Sequence, residues 1–85
     1  MLTLKIVIKK EWFDKIKSGE KTIEYREAKP FWYSRLKAEK GNYIKYDRIE
    51  FINGYVRNAR RMITVFGGVS LHGKVYHIKI GKIIK

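Results

Sequence analysis

From Leu2 to Lys9 the chain alternates. Leu2, Leu4, Ile6 and Ile8 interleave with Thr3, Lys5, Val7 and Lys9, the period of two that marks a β-strand. The period then changes. Trp12, Phe13 and Ile16 share one helical face over Glu11–Ser18, and Gly19 supplies the residue that stops a helix. Lys21–Glu27 returns to period two, with Ile23 and Tyr25 on one side and Thr22, Glu24 and Arg26 on the other.

Pro30 opens a second helix, for which its fixed φ and missing N–H are no handicap. Phe31, Trp32, Leu36 and Arg35 form its adhesive face, and Phe31 and Leu36 are expected to dock it on the sheet. Gly41–Asn42 marks a turn. Ile49 and Phe51 alternate with Arg48 and Glu50 in a third strand that runs into Asn53-Gly54, a strong turn signal. Met62–Phe66 is β-branched and aromatic, hence a fourth strand. Gly67-Gly68 and Gly73 predict a loop or short hairpin. Val75–Ile84 reads as a last, long strand with Tyr76, Ile78 and Ile80 on one face.

The predicted order is therefore β-α-β-α-β-β-β, an α+β class. Five strands in 85 residues must hide their edges, and a small β-barrel plugged or flanked by two helices does so with little material. An open α+β sheet is the alternative. The length allows one domain, residues 1–85. With 45% apolar residues, the chain has too much to bury to stay disordered.

Charge adds a partner class. Lys and Arg number 20 against 8 Asp and Glu, for a net charge of +12. Residues 1–55 hold 13 basic and 8 acidic groups, while residues 56–85 hold 7 basic groups and no acid. One-signed charge on the last third suits a polyanion, and a phosphate backbone is the commonest. A solvated lysine-rich surface is the plainer explanation.

Absences remove other classes. Without cysteine there is no disulfide framework, thiolate zinc site or cysteine nucleophile. His72 and His77 have no metal-ligand spacing, so neither metal nor cofactor is expected. No apolar run reaches the ~18 residues of a membrane span. Lys5, Lys9 and Lys10 interrupt the N-terminal apolar stretch, so a signal peptide is not expected and the cytoplasm is the default compartment.

The densest polar cluster is Gly19-Glu20-Lys21-Thr22-Ile23-Glu24-Tyr25-Arg26. Glu24 and Arg26 lie two apart on a strand and face the same way. If that way is the barrel mouth, they line a cleft over which Lys21 can swing. Arg would act as a bidentate donor, Glu as an acceptor for an exocyclic amine and Lys as a point charge. The same trio could do chemistry, with Lys21 as base or nucleophile and Glu24 as proton shuttle. It could also be an exposed structural ion pair worth little.

Gly19, Lys21, Glu24 and Arg26 form the pattern G-x-K-x-x-E-x-R directly after the helix Trp12–Ser18 and the strand Leu4–Lys9. This resembles the ASCH domain, of the PUA-like β-barrel superfamily. Tyr46-Asp47-Arg48-Ile49-Glu50-Phe51 is similar to that family's G-D-x-I-x-F strand entry, with Tyr46 in place of Gly. Ile78–Ile83 is similar to its closing strand. The resemblance covers nearly the whole chain and implies a barrel, a cleft lined by the first motif, and RNA as partner. One branch of the family resembles an amidohydrolase of acetylated cytidine in which the motif lysine is catalytic, and another is described as a ribonuclease. The amidohydrolase has Thr at the place of Glu24 and a late acidic residue. This chain has no acidic side chain after Glu50, so Lys21 and Arg26 carry over but a full catalytic set does not.

Other residues join the candidate interface. Trp32 and Tyr33 could stack on unpaired bases, or merely dock their helix. Arg48, Asn53 and Tyr55 belong to the third strand and its end, and Arg57, Arg60 and Arg61 follow as a candidate phosphate clamp. A solvated loop is the alternative there. His77 reads as a structural histidine, and His72 as a surface residue of a Gly-flanked loop. Three functions compete. The first is a monomeric RNA-binding module for RNA, single-stranded nucleic acid or a nucleoside. The second is a hydrolase of RNA or a modified nucleoside. The third is an accessory protein of phage or plasmid type that binds an acidic protein partner.

Overall fold

The computed structural model describes residues 1–37 and 42–85. The elements are β1 (Thr3–Ile8), α1 (Lys10–Lys17), β2 (Ile23–Glu27), α2 (Pro30–Leu36), β3 (Arg48–Asn53), β4 (Arg61–His72) and β5 (Val75–Ile83). Order and class are those the sequence predicts. The expected turn at Gly41–Asn42 involves Gly41, which lies outside the described residues.

All five strands form one sheet in the spatial order β1-β3-β4-β5-β2. β1 and β3 run parallel, and every other neighbouring pair is antiparallel. Parallel neighbours need a long crossover. Here α1, β2 and α2 all fall within it, and β2 is thereby carried to the far end of the sheet. The sheet curls into a half-barrel rather than a closed ring, so β1 and β2 are its two free edges.

Alternate strand positions build the interior. Leu4, Ile6, Ile49, Phe51, Met62, Tyr76 and Ile78 are buried, and Phe13 and Ile16 of α1 and Leu36 of α2 close the core from outside the sheet. Each large apolar side chain buried in this way contributes about 1.5–3 kcal/mol. Tyr76 and Ile78 lie on the face that their alternation predicted, with Ile80 packed partly against them. In α2 only Leu36 is fully buried. Phe31 is 57% exposed, so it does not dock the helix. It meets Trp32 edge-on, and the Arg35 guanidinium lies 4.3 Å from its ring centre.

Gly67 and Gly68 do not form the loop that their pairing suggests. β4 continues through them to His72, with register shifts against β5 between Thr64 and Phe66 and between Phe66 and Val69. The reason is steric. A Cβ on Gly67 would stand 2.9 Å from the Lys79 carbonyl oxygen, so glycine lets two strands approach where their register shifts. The only turn in this stretch is Gly73-Lys74, between His72 and Val75. His72 is thus the last residue of a strand and not part of a loop, although it is exposed as expected.

Candidate functional site

In β2 the side chains of Glu24 and Arg26 face inward, while Glu27 at its end is exposed. Across the ladder Glu24 stands opposite Ile78 and Arg26 opposite Tyr76, both buried. Their outward neighbour Tyr25 is 52% exposed. Glu24 itself is buried, and an unpaired carboxylate there would be costly. It is not unpaired. Oε2 accepts from Arg26 Nε at 2.7 Å and lies 2.6 Å from Arg26 Nη2, while Oε1 stands 3.5 Å from Lys21 Nζ.

The same two cations each cap one carbonyl at the sheet's open edges. Leu2 and Ile8 direct their carbonyls toward β3, where they accept from Arg48 and Gly54. Val7, at an odd position between them, points its carbonyl away from the ladder, and Arg26 Nη2 donates to it at 3.1 Å. On β2 the Thr22 carbonyl accepts from Ile80 of β5. The Ile23 carbonyl points the other way and accepts from Lys21 Nζ at 2.6 Å. Unpaired edge groups need such partners. Gly19, at φ +86°, ends α1 in the left-handed region that glycine tolerates. That reversal delivers Lys21 to the seam.

Between β1 and β2 lies a cleft of about 840 Å³. Its walls carry four aromatic residues, Trp12, Tyr25, Trp32 and Tyr55, and four cations, Lys9, Lys21, Arg26 and Lys29, against only Glu24 and Glu27. The cations are set against the rings. Lys21 Nζ is 5.5 Å from the Trp12 ring centre and 5.0 Å from that of Tyr25, and Arg26 Cζ is 4.9 Å from that of Trp32. Such contacts hold long basic side chains in place. The Lys21 amine is engaged by a carbonyl, so a role as base or nucleophile requires that hydrogen bond to open first.

The cleft thus unites Lys21, Glu24, Arg26, Trp32 and Tyr55 of the expected set. Other members fall elsewhere. Tyr33 is 55% exposed on α2 but does not line the cleft. Asn53 ends β3 and donates its backbone N–H to Arg60. Arg48 is partly buried, and its Nε has no hydrogen-bond partner among the described residues. The three arginines after Tyr55 do not converge. Arg60 pairs with Asp14 of α1 at 2.9 Å and Arg61 with Glu50 of β3 at 3.2 Å, whereas Arg57 is exposed. The C-terminal third lacks acids, but the fold brings acids to it from earlier elements. Lys10 and Arg60 hold the Asp14 carboxyl below the usual range through their hydrogen bonds.

Trp12, Tyr25, Lys9 and Lys29 belong to the cleft without having been singled out. For Trp12 a signal existed. Adjacent helical residues point about 100° apart, so Trp12 and Phe13 cannot both face the core centre. Phe13 is buried and Trp12 is 40% exposed. The histidines meet away from the cleft, on the outer face of the β4–β5 hairpin. Their rings stack at 4.0 Å, with Tyr25 edge-on to His77 and Ser70 bonded to His72.

No known protein family, curated protein or solved structure matches this chain. Among the described residues no helix is long and apolar enough to cross a membrane.

Proposed function

We propose that this chain is a single-domain RNA-binding protein of ASCH-like type that takes unpaired nucleotides into the cleft between β1 and β2. One observation carries the reading: aromatic rings and positioned cations converge on a single concave site. That pairing of ring faces with basic groups is what single-stranded nucleic acid requires, with bases stacked and phosphates neutralised. The net charge of +12 adds long-range attraction for the same ligand.

The chain has 2 tryptophans, and both line the cleft. Intrinsic fluorescence therefore reports occupancy directly. Titration with a single-stranded RNA of about 12 nucleotides, a usual length for one small barrel, is expected to quench it. Raising salt from about 50 to about 200 mM should weaken binding tenfold or more. Absence of salt-sensitive quenching rejects this reading. Turnover of the RNA or of acetylcytidine, abolished by Lys21→Ala in a folded protein, would replace it with the hydrolase reading.

A further inference from the structure

Cations that the cleft does not use gather on the other side of α1. A second cavity, of about 320 Å³, is lined there by Lys17, Arg60 and Arg61 together with Phe13, Met62 and Ile83. Among the described residues no carboxylate side chain lines it. Arg60 Nη2 donates to Asp14 and Arg61 Nη1 to Glu50. The remaining nitrogens of both guanidinium groups make no hydrogen bond among the described residues, and neither does Lys17 Nζ. Asp14 is itself shared, because Lys10 Nζ holds its other oxygen at 2.9 Å. Four cations thus stand against two carboxylates. The Arg60 guanidinium lies 4.6 Å from the Phe13 ring centre, which steadies it, while both arginine side chains stay about half exposed.

The two cavities flank one helix and one connection. Phe13 and Lys17, one turn apart, share a face of α1, and Trp12 of the cleft is turned about 100° from Phe13. Gly54 and Tyr55 line the cleft, Arg60 lines the second cavity, and exposed Arg57 lies between them in sequence. The Asn53 N–H donates to the Arg60 carbonyl at 2.9 Å, so the two ends of this connection sit side by side. Resting on the RNA-binding reading above, we infer that the second cavity is a phosphate subsite for the strand whose bases enter the cleft. Lys17 and the unspent nitrogens of Arg60 and Arg61 hold its phosphates, a ligand that the guanidinium fork suits. Phe13 is buried beneath Arg60 and offers no ring face for stacking, so base contacts stay in the cleft. The subsite adds affinity without sequence preference, since phosphates carry no base identity.

The test compares two double variants of equal charge. Lys17→Gln with Arg61→Gln removes subsite cations, while Lys45→Gln with Lys79→Gln removes exposed cations that line neither cavity. Anisotropy of a fluorescein-labelled single-stranded RNA of about 12 nucleotides reads the affinity. The subsite variant is expected to bind roughly tenfold more weakly at about 50 mM salt, and the slope of log affinity against log salt to fall by about 1.4, or about 0.7 per phosphate contact. The control variant should lose no more than about twofold. Shortening the strand to about 4 nucleotides should remove the difference between subsite variant and parent. Lys17→Glu, a single change at an exposed position, should reproduce the loss if the double variant folds poorly. Equal losses in the two double variants, or a loss that persists with the short strand, overturn the inference while leaving RNA binding intact. Failure of the parent protein to bind the longer strand overturns both.

Discussion

Ile49 and Phe51 of β3 meet Thr64 and Met62 of β4 across an antiparallel ladder, and all four are buried. At the open side of the same half-barrel, β1 and β2 share no ladder. There Arg26 and Lys21 cap the edge carbonyls of Val7 and Ile23, and Glu24 binds both cations. One boundary is held by backbone pairing over apolar contact, the other by side-chain charge over a cleft. Stability resides in the first. The second gives up a strand pairing and gains a concave, positively charged, aromatic-lined opening.

That division can be broken from either side, and the largest effect is expected in the core. Phe51→Ala should cost about 3–5 kcal/mol, read from denaturant midpoints, because a fully buried ring leaves a cavity. Glu24→Ala should cost less, about 2 kcal/mol, since it strands Arg26 and Lys21 without their carboxylate. Gly67→Ala tests the close approach of β4 and β5. Its Cβ would press on the Lys79 carbonyl, and a loss of about 1–3 kcal/mol is expected in the same denaturation assay. Arg61→Ala removes an exposed pair with Glu50 and should change stability by less than about 0.5 kcal/mol.

Much of the first region was legible. The alternation of Leu4, Ile6 and Ile8, and of Tyr76 and Ile78, states which side of each strand is buried, since strand side chains alternate strictly. Gly67 is ambiguous in sequence because a glycine that permits close approach looks the same as one that permits a turn. The seam was legible only as a list of residues. Glu24, Arg26 and Lys21 stood out together, but their facing inward depends on β2 being carried to the far edge, a long-range fact with no local signal. Arg60 and Arg61 appeared unopposed for the same reason. Asp14 and Glu50 reach them through the fold.

The smallest effect concerns the outer face of the hairpin. Burial, and then neighbouring His72, lowers the His77 pKa from its ordinary 6.5. The folded state therefore holds this proton less tightly than the unfolded state does. The contribution is complete above pH 6.5 and is lost as pH falls through the folded-state value. An NMR titration of the ring protons should place His77 below 6.5. A midpoint at or above that value would contradict the packing described for Tyr25 and His72.

The central claim is that charge at the β1–β2 seam serves binding rather than stability. The triple substitution Lys21→Met, Glu24→Leu and Arg26→Met separates the two directly. Replacing every member of an enclosed ion cluster by apolar groups of similar size is often neutral for folding. The account predicts a thermal midpoint within a few degrees of the parent protein. It also predicts at least a tenfold loss of affinity for single-stranded RNA of about 12 nucleotides at about 50 mM salt. Unchanged RNA affinity in a folded triple variant would contradict it.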